Sequence, residues 1–147
     1  MSRIIILFAL IITPLLLQSC AVHDSTRQFA PGANEVRMAK LKTFYVRKHS
    51  DDNYNLGEDI ATTLQKMGYQ ATVGTALSSP NRVDAVISFT DKWMWDITMY
   101  LLSLDLQVRE PGSDAIFATA KTVRTSLVRK SQKEVVQETL NKLLDKP

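Results

Sequence analysis

Residues 91–110, DKWMWDITMYLLSLDLQVRE, restrict the fold more than any other stretch of the chain. Wound as a helix, the segment would be apolar on nearly every side, with Asp96 and Asp105 stranded. Laid out as a strand it sorts cleanly. Trp93, Trp95, Ile97, Met99 and Leu101 share one face, and Asp96, Thr98 and Tyr100 lie opposite. The phase then flips: Leu102, Leu104, Leu106 and Val108 alternate with Ser103, Asp105 and Gln107. A switch at Leu101-Leu102 is what one extra residue in a strand produces, because it exchanges the two faces. The pattern therefore predicts one long bent strand or two strands joined tightly.

The flanking segments complete a sheet. EPGSD (110–114) is a turn with Pro-Gly at its centre, and AIFATAKTVRTSLVRK returns as the partner strand, so 92–128 reads as a long hairpin. VDAVISFT (83–90) places Val83, Ala85, Ile87 and Phe89 on one face. KLKTFYVRK (40–48) alternates with Phe44 and Val46 on one side, and YQATVG (69–74) is a short strand. SSPNR (78–82) is a loop.

Two helices are predicted. Asn55 and Glu58 have the spacing of a capping box, Ile60, Leu64 and Met67 follow at helical intervals, and Gly68 supplies a left-handed stop. Ser131 and Glu134 form a second capping box ahead of Val135, Val136, Leu140 and Leu143. The order β-α-β-β-β-β-α gives a single α+β domain over residues 38–147. Its sheet is mostly antiparallel, with four to five strands, two helices on one face, and the first two strands parallel across the helix between them.

The N-terminal segment decides where such a domain resides. Arg3 begins a run from Ile4 to Leu17 that is apolar but for Thr13 and Pro14. As a helix it spans ~21 Å, short of a ~30 Å hydrocarbon core, and so suits a signal peptide (1–19) better than a permanent span. Leu17-Gln18-Ser19-Cys20 then resembles a bacterial lipobox, and Cys20 is the one cysteine of the chain. The resemblance implies diacylglycerol on the Cys20 sulfur, cleavage before it, and acylation of the new amine with a palmitate-type chain. Two or three acyl chains together anchor a protein stably where one does not. Ala21 follows, where Asp would retain the protein in the inner membrane, so the expected location is the periplasmic face of the outer membrane. Residues 20–37 show no sustained periodicity, and read as the lipidated cysteine followed by a flexible tether carrying a solvated His23.

Chemistry is sparse. Outside the tether His49 is the only histidine, and adjacent Ser50 and Asp51 cannot form a relay with it. Asp51, Asn53 and Asn55 hint at a calcium loop, but Leu56 stands where the loop needs glycine and Thr62 where it needs a bidentate glutamate. No nucleophile elbow, phosphate loop or zinc set is present. Asp91, Asp96 and Asp105 have no spacing that marks a hydrolytic pair. A net charge of only +3 argues against a nucleic-acid binder. The expectation is a protein that is not an enzyme, needs no metal or cofactor, and has no identified small-molecule substrate.

Two surfaces remain. Trp93, Trp95 and Met99 read either as core beneath the helices or as a partner- or lipid-binding face. Lys121, Arg124, Arg129 and Lys130 read either as a solvated rim or as a contact for anionic head groups.

The lipobox, the KMGYQ that ends the first helix, the VDAVISF strand and the run WDITMYLLSLDLQVREPGSDAIFATAKTVRTSLVRKS together resemble the small lipoproteins of Gram-negative cell envelopes. The resemblance spans most of 38–145 and implies an accessory role. The expected function is a membrane-anchored binding, scaffold or assembly module with an envelope protein as partner. Lipid or lipopolysaccharide handling is the alternative, and an envelope hydrolase a distant third.

Overall fold

The computed structural model describes residues 24–33, 35–77 and 82–145. The signal peptide, Cys20, His23 and most of the 78–82 loop lie outside the described residues.

Six strands form one sheet: β1 (Asp24–Phe29), β2 (Thr43–Arg47), β3 (Gln70–Gly74), β4 (Ala85–Asp96), β5 (Thr98–Arg109) and β6 (Ile116–Val123). Three α-helices accompany them: α1 (Glu35–Ala39), α2 (Leu56–Lys66) and α3 (Gln132–Leu144). The strand order is β1-β6-β5-β4-β2-β3. Neighbours from β1 to β4 are antiparallel, whereas β2 runs parallel to both β4 and β3. The expected α+β domain is therefore present with a mixed sheet, one more strand and one more helix than the periodicity predicts.

The additional strand comes from residues read as tether. Asp24–Phe29 pairs along β6 in register from Asp24↔Val123 to Phe29↔Ala118. Of these residues, Arg27 and Phe29 face the same side as the buried Ala120 and Ala118. Arg27 lies over the Phe29 ring, 4.5 Å from its centroid, and pairs with Asp145 just beyond α3.

The apolar core fills the space between one sheet face and the helices. Phe44, Val46, Ile87, Leu104, Leu106 and Val108 come from the strands; Ile60, Leu64, Val135, Val136, Leu140 and Leu143 come from α2 and α3. The Ser131–Glu134 capping box forms as predicted. The one expected at Asn55 does not. Asn55 itself is left-handed (φ 54°) with no side-chain cap, and Asp52 takes over: its Oδ1 and Oδ2 accept from the Leu56 and Gly57 amides, both at 2.8 Å. Glu58 turns instead to Lys48 Nζ, 2.5 Å away. Gly68 ends α2 at φ 93°.

Candidate functional site

The informative stretch is two strands, not one. β4 and β5 pair from Val86↔Arg109 to Asp96↔Thr98, joined by a tight turn at Ile97. Lys92 pairs with Ser103 and Trp93 with Leu101, so Leu102 is the extra residue. The bulge sits where the hydrophobic phase flips. It lets the core-facing positions of β5 change from Leu104 to Leu101 without turning either leucine to solvent; both are buried.

Beyond the bulge the hairpin leaves the body of the protein. Trp93 marks the boundary. It is half-buried against the core, stacks on Tyr54 at 3.8 Å between centroids, and its Nε1 donates to Asp91 Oδ2 at 2.7 Å. Trp95 and Met99, cross-strand partners on the same face, are 67% and 44% exposed. Met94 is exposed on the other face, and Ile97 at the turn is 85% exposed. Trp93 thus packs against the core, whereas Trp95 and Met99 stay exposed.

The basic residues do not form an open rim. Arg124 is buried and pairs with Glu138, which also accepts from Lys130 Nζ at 3.0 Å. Burial pushes the Glu138 carboxyl up, but hydrogen bonds from Lys130 and Arg124 and their charges outweigh it, and the net shift is downward. Arg129 is a strut. Its guanidinium donates to Asp96 Oδ2 at 2.6 Å and Thr98 Oγ1 at 3.1 Å, lies over the Tyr100 ring, and its Nε donates to the Ser126 carbonyl. It thereby ties the short 3-10 turn Ser126–Val128 to the hairpin tip. Lys121 stands on the opposite, helix-free face of the sheet, across from Asp105. Asp105 is half-buried; burial raises its pKa, Lys121 offsets this only in part, and its Oδ1 has no hydrogen-bond partner.

Within that 3-10 turn Leu127 is 81% exposed. Met94, Trp95, Ile97, Met99 and Leu127 make five of the nine exposed large hydrophobic residues among those described, all at one end of the sheet. The sequence pattern singles out Trp95 and Met99 but misses Leu127, which falls in TSLVRK with no periodic apolar neighbours.

The remaining candidates have structural partners. His49 Nε2 is 2.7 Å from the Phe89 carbonyl, and its ring packs edge-on against Phe89. Asp91 holds Trp93, and Asp96 holds Arg129. Among the described residues no group of three His, Cys, Asp or Glu side chains is placed to hold a metal ion, and no helix is long and apolar enough to cross a membrane.

The fold is similar to that of PelC from Paraburkholderia phytofirmans. A PelC point variant, crystallised as a dodecamer, superposes with a TM-score of 0.57 at 13% identity over 85% of this chain and 98% of that one. A second PelC dodecamer gives 0.55 at 16% identity, over 82% and 96%. A minor lipoprotein from Acinetobacter baumannii gives 0.37 at 12% identity, over 71% and 89%. At these identities the PelC likeness establishes a shared fold. No protein-family model matches the chain, and no curated protein matches it.

Proposed function

We propose that this chain is a lipid-anchored protein of the bacterial envelope, held through Cys20, whose folded domain is a binding or assembly module and not an enzyme. The observation that carries the reading is the projecting hairpin: a folded domain that leaves Trp95, Ile97 and Met99 in water has a surface awaiting a partner. The lipobox supports the location. A tethered module meets its partner in two dimensions, so a modest affinity suffices. PelC, whose fold the chain shares, is a dodecamer, which supports further copies of this chain among the partners.

Crosslinking of the native protein in intact cells, followed by purification and mass spectrometry, tests the module. The expected result is a recurrent adduct, with an envelope protein or with a second copy. A protein that crosslinks to nothing contradicts it. Cys20→Ser tests the anchor: membrane association and processing should both disappear, and their persistence would remove the lipid from the account.

A further inference from the structure

The exposed hairpin and the start of β1, four residues after Cys20, lie toward the same end of the sheet. Asp24 pairs with Val123, and Val123 pairs with Ser103. β1 runs in the same direction as β5, so Asp24 is the end of β1 nearer the β4–β5 tip. Residues 98–102 carry the hairpin past that level, a projection of roughly 15 Å at ~3.3 Å per residue. Cys20 precedes Asp24 by four residues, which span at most ~14 Å when fully extended. With Asp24–Phe29 held in the sheet, the tether is therefore only as long as the hairpin is tall.

We infer that the hairpin tip is a membrane-docking element: Trp95, Ile97 and Met99, with Leu127 on the turn that Arg129 ties to the tip, enter the interfacial layer of the phospholipid bilayer that holds the Cys20 lipid. The chemistry of the tip fits that layer. Tryptophan concentrates at the junction of head groups and acyl chains, where its ring is apolar and its N–H stays wet. The charges nearest the tip are matched, Arg129 by Asp96. Ile97 is a β-branched residue at φ 63° and 85% exposed. Glycine or asparagine serves such a turn with less strain, so isoleucine there is unexplained by folding and explained by burial in lipid. A bilayer is favoured over a protein groove because the tether length brings the tip to the bilayer whatever else is present.

The inference rests on the proposed anchor for the position of the bilayer, and its test reads the two separately. The full-length protein, purified from membranes, is reconstituted into phosphatidylethanolamine–phosphatidylglycerol vesicles. Trp93→Phe leaves Trp95 as the sole tryptophan, since the chain has two. Intact mass reports acylation of Cys20; fluorescence reports Trp95. The expected result is a blue-shifted emission, quenched by lipids brominated high on the acyl chain and shielded from aqueous iodide. Ile97→Asp and Leu127→Asp should each lose that quenching. Aspartate tolerates a positive φ, so the first of these leaves the turn intact. The complementary Trp95→Phe protein should show little bromolipid quenching of Trp93. An acylated protein whose Trp95 is open to iodide and untouched by bromolipid overturns docking and leaves the anchor standing. Trp95 shielded from both quenchers overturns it in favour of a protein contact. An unacylated protein with quenched Trp95 supports docking and removes the anchor; one that does not bind vesicles removes both.

Discussion

Ile97 carries a conformational penalty that the folded domain does not need. A left-handed backbone puts the Cβ of an L-residue against the following carbonyl, at roughly 1–2 kcal/mol, and a β-branched side chain adds to the crowding. Ile97 makes no compensating burial, being 85% exposed. Ile97→Asn should therefore raise the stability of the domain in detergent-free buffer by about 1 kcal/mol, seen as a higher midpoint in denaturant with unchanged slope. The same change should weaken contact with vesicles. A variant that loses stability would mean the isoleucine is part of the fold. Two carboxylates pull stability in opposite directions with pH. Burial pushes Glu138 up, but Lys130 and Arg124 hold it below its ordinary value. Its pairing therefore stabilises above the unfolded value of about 4.3 and is lost as pH falls through the lower folded value. Burial raises Asp105, with Lys121 offsetting only part of it. Its ionised form is disfavoured in the folded state, so it destabilises at neutral pH and is relieved as pH falls through its folded value. Asp105→Asn should raise the melting temperature at neutral pH, and the gain should shrink in mild acid. A gain that does not depend on pH would mean that packing, not charge, sets the effect.

At the scale of elements, β1 converts a leash into structure. It covers the outer edge of β6, which would otherwise offer a row of unpaired amides and carbonyls to another chain. Deleting residues 24–33 should therefore lower stability and promote concentration-dependent association, measured by melting and light scattering. A deleted protein as stable and monodisperse as the full one would show that β1 merely rests on the sheet. Periodicity could not reveal this strand. Its one clearly apolar core-facing residue is Phe29, and the position before it on that face is Arg27, whose stem and guanidinium lie over the Phe29 ring beside Asp145. An arginine used as packing is invisible to a hydrophobic pattern. Where core positions are filled by apolar side chains the pattern is legible. β2, β4, β5, α2 and α3 were readable for that reason, and the phase flip at Leu101-Leu102 located the bulge to the residue. The failed cap at Asn55 has another cause. Asn55 takes a left-handed backbone, Glu58 pairs with Lys48, and Asp52, three residues upstream of the expected cap, accepts from the Leu56 and Gly57 amides. The site was half legible. Strand alternation gave Trp93, Trp95 and Met99 a common face, but how far the helices cover that face is a tertiary fact. Arg124 and Arg129 looked like surface charge because Glu138 and Asp96 lie 14 and 33 residues away from them.

At the scale of the whole molecule, ordering Asp24–Phe29 bears on how far the domain would stand from the anchor proposed at Cys20. A coil of 16 residues would let it wander by ~20–24 Å, whereas four residues allow about half of that. If Cys20 carries the lipid, the short link ties orientation to geometry, because the start of β1 lies toward the end of the sheet that carries the hairpin tip. This relation can be broken without touching the fold or the tip. Inserting twelve Gly/Ser residues between Cys20 and Asp24 leaves the lipid, the strands and Trp95 intact, but doubles the spread of heights at which the domain sits, because reach grows as the square root of length. In vesicles, bromolipid quenching of Trp95 should fall roughly twofold if tip affinity is weak, while acylation and melting temperature stay unchanged. If quenching were insensitive to the insertion, the tip would be binding the bilayer strongly on its own, and the lipid would be redundant for holding it there. If quenching vanished altogether, the tip would have no affinity for the bilayer and would touch it only because the short tether presses it close.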